Sequence, residues 1–160
     1  MATTSYAAIR DDQIAAIVAI TPTSHSDVKF RCHDHEDTDL REWADKSPQA
    51  AQRVFSVEYL FEDEAPVSNM DAEPRQVTAE IVVAYRKDKK FGALQRRKLS
   101  DVMREDFIAI NNAAGVRGYS NIGPDASVIS CTPAYEDVTG PSPVAFLVAT
   151  YIVAFWESVS

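Results

Sequence analysis

The chain is 160 residues long, with 16 basic and 24 acidic side chains and a formal charge of −8 at pH 7. That length suits one domain able to bury a real core, and 46% apolar with 25% charged residues is close to the globular average, which argues against wholesale disorder. A net negative chain is also a poor sequence reader of DNA, because that affinity comes largely from Lys and Arg clustered on phosphates.

The start, Met1-Ala-Thr-Thr-Ser-Tyr, has neither a basic n-region nor an apolar h-region, so no signal peptide is expected. Ser5 to Ile20 is Ala-rich with Ile9, Ile14, Ile17, Val18 and Ile20, the spacing of a helix with one broad apolar face, and Pro22 closes it. Asp27 to Cys32 alternates as a short strand. Asp34 to Asp39 reads as an acidic loop, and Asp39 is placed to cap a short helix, Leu40 to Lys46, that Ser47-Pro48 ends.

Arg53 to Phe61 puts Phe55, Val57, Tyr59 and Phe61 on one side of a strand and Val54, Ser56, Glu58 and Leu60 on the other. Glu62 to Pro74 reads as a long acidic loop. Gln76 to Arg86 is the next strand, with Val77, Ala79, Ile81, Val83 and Tyr85 inward, so the two strands predict a long antiparallel hairpin. A basic turn leads to a helix over about Ala93 to Ala113, striped by Leu99, Val102, Met103, Phe107 and Ile110, with Gly115 placed to end it. Ser127 to Tyr135 is a strand whose Pro133 predicts an edge position or a strand end. Val144 to Trp156 is too short for a membrane helix, which needs roughly 20 residues. Apolar on both faces, it predicts a strand near the middle of the sheet. The expected fold is one α+β domain over 1–160, with a mixed, mostly antiparallel sheet of four to five strands flanked by two main helices.

Residues that could carry chemistry are sparse. Cys32, His33 and His35, with His25 upstream, form the densest set of potential metal ligands, but no CxxC or HxxxH completes a tetrahedral site. Cys32 and Cys131 are expected as reduced thiols. There is no G-x-S-x-G, and the glycines at 92, 115, 118, 123 and 140 build no phosphate-cradling loop. Glu105 and Asp106 are adjacent on a helix and so point to different sides. Neither an enzymatic activity nor a cofactor or resident metal is expected.

The charges are segregated. Asp34 to Asp45 contains six acids against one base, Glu58 to Glu73 six acids with no base, and Arg86 to Lys98 seven bases against Asp88. Opposite patches on one chain allow copies to pair head to tail, which closes a ring where the rotation permits. Arg41 and Trp43, on a short polar helix, are the first candidates for contact residues, since Arg and aromatics are enriched at interface centres.

The segments FRCHDHEDTDLREW, RVFSVEYL, TAEIVVAY, RRKLSDVMREDFIAI and FLVATYIVAFWES, in that order, resemble the tail terminator proteins of long-tailed bacteriophages. Tyr151, Val153 and Phe155 match the aromatic strand of Y-x-V-x-F type that ends such chains. The resemblance spans about Ile14 to Glu157 and implies a structural virion protein: a hexameric ring that caps the tail-tube protein, stops its polymerisation and offers a docking surface to the neck of the filled head. It implies a place at the top of the tail, and in the host cytoplasm during assembly. Contact between Arg96, Arg97 and Lys98 of one subunit and Glu62, Asp63 and Glu64 of the next is the expected ring interface. Six copies at −8 sum to −48, a wall along which genomic DNA passes without sequence-specific binding. Another head-to-tail joining protein (neck, stopper or tail completion) and an acidic inhibitor or DNA mimic are the alternatives.

Overall fold

The computed structural model describes residues 6–33, 38–60, 72–87, 96–114 and 127–158. In chain order its elements are α1 (Tyr6–Val18), β1 (Arg31–Cys32), α2 (Leu40–Lys46), a 3-10 turn (Pro48–Ala50), β2 (Gln52–Leu60), β3 (Ala72–Arg86), α3 (Arg96–Ala114), β4 (Ser127–Glu136) and β5 (Val144–Ser158). The strands form one mixed sheet in the order β1-β2-β3-β5-β4, parallel only between β1 and β2. This is the α+β arrangement that the alternation of strand and helix patterns predicts. The acidic loop between β2 and β3 lies outside the described residues.

Strand positions follow composition. β5, apolar on both faces, is paired on both sides, whereas β4, with Pro133, stands at the edge. β3 begins four residues earlier than the pattern predicts, taking in Pro74. Pro74 pairs with Trp156 at a level that β2 does not reach, since Leu60 opposite Thr78 ends the β2 ladder. A residue without an N–H is tolerated there because, among the described residues, no second ladder claims it.

Alternation divides the sheet into two faces. On the first, Phe55, Val57, Val77, Ala79, Ile81, Val83, Leu147, Tyr151 and Val153 pack against Ile9 and Ile17 of α1 and against Leu99, Val102, Met103 and Ile110 of α3. On the second, Val54, Val82, Ala84, Val144, Phe146 and Val148 meet Leu40 and Ala44 of α2 in a smaller cluster. Val18, expected on the apolar face of α1, is instead 48% exposed, because the inward row runs Ile9, Gln13, Ile17.

The expected strand over Asp27 to Cys32 shrinks to Arg31–Cys32. The carbonyls of Ser24, His25 and Val28 all accept hydrogen bonds from the Arg53 guanidinium, so the segment is wound around that side chain and not laid along a ladder. α2 matches its predicted limits, although the Asp39 side chain makes no capping bond. The Trp43 amide instead donates to the Asp39 carbonyl at 2.9 Å.

Gln13 is the one polar residue of the α1 inward row, and it is 1% exposed. Its Nε2 donates to the Ala114 carbonyl at 3.0 Å and to the Tyr151 hydroxyl at 2.8 Å, while Oε1 accepts from the Tyr59 hydroxyl at 2.6 Å. One amide thus ties α1 to β2, β5 and the end of α3. Gln13→Leu orphans these partners and is expected to cost roughly 1–3 kcal/mol, the range for a lost buried hydrogen-bond partner. Urea unfolding checks this as a lower midpoint at unchanged slope.

Candidate functional site

The most connected polar cluster lies under the first face. Arg53 occupies a β-bulge between Gln52 and Val54 and has φ of 53°, a left-handed conformation rare for a residue with a side chain. The bulge turns the guanidinium into the core, where the residue is 0% exposed. Nε and Nη2 donate to the Asp106 carboxylate at 2.8 and 3.1 Å, Nη1 donates to the His25 and Val28 carbonyls at 2.8 and 2.9 Å, and Nη2 also donates to the Ser24 carbonyl at 2.7 Å. All five guanidinium N–H groups are therefore used. The Phe30 ring lies 5.5 Å from the guanidinium carbon, and the Tyr85 hydroxyl donates to Asp106 Oδ2 at 2.7 Å.

Burial pushes the Asp106 carboxyl above the usual carboxylate range, and the Arg53 and Tyr85 hydrogen bonds oppose that shift. Burial, reinforced by the neighbouring Asp106 charge, pushes the Tyr85 phenol well above its ordinary value. A guanidinium with every donor occupied has none left for a substrate or an anion, so the cluster acts as a brace. Glu105, by contrast, faces outward and accepts from the Ser24 hydroxyl at 2.7 Å, so the two adjacent acids do point to different sides.

The second face is where the predicted contact residues gather. Arg41 pairs with Glu136 of β4 at 3.0 Å, half-exposed, and lies 6.0 Å from the Phe146 ring centroid. Trp43 packs on the second cluster, with its ring centroid 5.1 Å from that of His33. Both therefore have partners inside the chain, and the Trp43 side chain is half-buried there. Of the proposed acidic partners, Glu62, Asp63 and Glu64 lie outside the described residues. The backbone of Arg96, Arg97 and Lys98 forms the first turn of α3, and their side chains lie outside what is described. Two bases of the segment counted as a basic patch, Arg86 and Lys87, are 8% and 7% exposed, with Lys87 Nζ donating to the Gly140 carbonyl.

Beyond the edge of α2, the second face turns polar. Register places Glu58 opposite Glu80, Glu80 opposite Thr150 and Thr150 opposite Thr132, one continuous row across four strands. Leu60, Thr78 and Ile152 make the next row, each half-buried. Among the described residues, no hydrogen bond or ion pair reaches either carboxylate.

No protein-family model matches the chain, and it matches no curated protein. Among the described residues no three His, Cys, Asp or Glu side chains could together hold a metal ion. His33 Nε2 lies 2.9 Å from the Thr38 carbonyl and Cys32 Sγ 3.7 Å from the His33 carbonyl, while His35 lies outside the described residues. A small apolar cavity of about 10 Å³ lies between α3 and the sheet, lined by Phe107, Ile110, Asn111, Cys131 and Tyr151, with room for a single water. No helix of the described residues is long and apolar enough to cross a membrane.

Sequence reading missed Arg53, Gln13 and Asp106 as structural centres. A signal existed for two of them: Gln13 and Asp106 each interrupt an apolar row at helical spacing.

Removing one partner of the buried pair leaves the other charge uncompensated, so Arg53→Met is expected to cost about 3–5 kcal/mol. Equilibrium denaturation measures it. Tyr85 keeps its proton in the folded state at a pH where the unfolded phenol, with pKa about 10, has lost its own, so the folded state holds more protons and stability falls as pH rises above about 10. Tyr85→Phe should lose part of that alkaline decline, read as urea midpoints between about pH 9 and 11.

Proposed function

We propose that the chain is a structural virion protein: a ring, six-fold in the tail-terminator reading, that caps a phage tail tube and presents the neck-docking surface. The observation that supports it is the order of elements. A helix, a short strand, a Trp-bearing helix, two long paired strands, a helix opening on three bases and two final strands follow one another as in the family the sequence resembles. The long strands add to this. β3 and β5 are 15 residues each, about 50 Å at 3.3–3.4 Å per residue, and their far ends, Ala72–Arg75 with Phe155–Ser158, pair only with each other among the described residues. Paired strands of that length suit contact with a neighbour or a tube.

Native mass measurement of the full-length protein, with negative-stain imaging and with tail tubes added, tests the reading. A six-subunit ring seated at one end of the tube is the expected result. A twelve-fold ring would point to a connector, and a monomer or dimer that ignores the tube would overturn the reading and favour the acidic-inhibitor class.

A further inference from the structure

We propose that Pro133 is an edge guard: its ring points outward from β4 and keeps the strand of a second copy from extending the sheet. The proposal goes beyond the ring reading and does not depend on it.

The direction of the main-chain groups on β4 follows from the far side of the sheet. The Phe55 carbonyl accepts from the His33 amide at 2.7 Å and the Val57 carbonyl from Arg10 Nε at 3.0 Å, so these residues of β2 turn their main-chain groups away from β3. In antiparallel ladders the bonding direction alternates along a strand, and directly opposed residues share it. Glu58 therefore bonds Glu80, Ala79 and Ile81 of β3 bond Tyr151 and Ala149, and Thr150 and Val148 of β5 bond Thr132 and Ala134. Cys131, Pro133 and Tyr135 are left facing outward. Among the described residues, no hydrogen bond reaches the outward N–H and C=O groups of Cys131 and Tyr135 or the Pro133 carbonyl.

That edge is otherwise suited to pairing. Thr132, Ala134 and Tyr135 are exposed, and Ser127 to Tyr135 contains none of the charged residues with which edge strands commonly deter a partner. Copies of a chain at −8 repel one another elsewhere, but two of these segments meet without like charges opposed.

Pro133 stands midway between the two residues that offer both a donor and an acceptor. Its ring fills the space through which an N–H would reach a partner carbonyl, so an incoming strand loses a bond and meets a steric block at the centre of the edge. The bulge between Val128 and Ser130 interrupts the same edge further along. The other side of the sheet is closed by different means, β1 lying along the start of β2 and Arg10 taking the Val57 carbonyl beyond it. Copies of the chain are thereby left to meet through faces and side chains, not by continuing a ladder.

Sedimentation velocity over a concentration series tests it on three full-length proteins: wild type, Pro133→Thr, and Pro133→Thr with Tyr135→Pro. Pro133→Thr should self-associate roughly tenfold more tightly than wild type, since each copy of a two-fold pair regains a donor, and should melt no lower when dilute, because that N–H faces away from β5. Adding Tyr135→Pro moves the block to the next outward position and should restore wild-type behaviour. A Pro133→Thr protein that associates no more than wild type overturns the guard. Association that the second proline fails to reverse comes from misfolding or another surface, and overturns it as well.

Discussion

Arg53 is a charged residue placed where a strand should begin, and the packing of the first face is arranged around it. Its guanidinium reaches a carboxylate on α3, three carbonyls of the segment before β1 and the face of Phe30, so one side chain joins parts of the chain that are 23 to 53 residues apart. A buried ion pair is weak evidence of net stabilisation by itself, because desolvating both charges offsets much of their attraction. Its clearer effect is on uniqueness. Only one arrangement of α3, the β2 bulge and the 24–28 segment satisfies all five donors, and any slip leaves a buried charge unmet. The positive φ at Arg53 is the local strain that this arrangement tolerates.

Gln13 does the same work at the other end of the first face with neutral groups, binding two tyrosine hydroxyls and the last carbonyl of α3. Two saturated networks and the aliphatic layer between them make that face self-sufficient. The second face is organised differently. α2 covers only the rows from Val144 to Val82, and the next rows pass to Glu58, Glu80 and threonines. The sheet thus keeps its larger packing layer on one side and, past α2, a polar row on the other.

Much of the fold was legible because it depends on short-range pattern. The limits of α2, the pairing of β2 with β3, the edge position of β4 and the interior position of β5, one strand in from that edge, follow from apolar periodicity and from Pro133. What was not legible depends on side chains acting at long range. β1 shrank because Arg53 claims the Val28 carbonyl, within the expected strand, and those of Ser24 and His25 just before it, and nothing local to Asp27–Cys32 announces that. Arg53 itself was invisible, since the bulge that turns it inward has no glycine or Asn-Gly signature. Charge segregation was legible as a count but not as a surface: Arg86 and Lys87 are inside, and Glu58 and Glu80, far apart in the sequence, stand opposite each other on the sheet.

Whether Arg53 and Asp106 hold the first face as one unit is read from a double-mutant cycle in urea, with Arg53→Met, Asp106→Leu and the two changes together. Each single change leaves one buried charge uncompensated, so the double variant should lose clearly less stability than the sum of the two single losses. Single losses that simply add would mean that the two charges do not depend on each other and would overturn the brace.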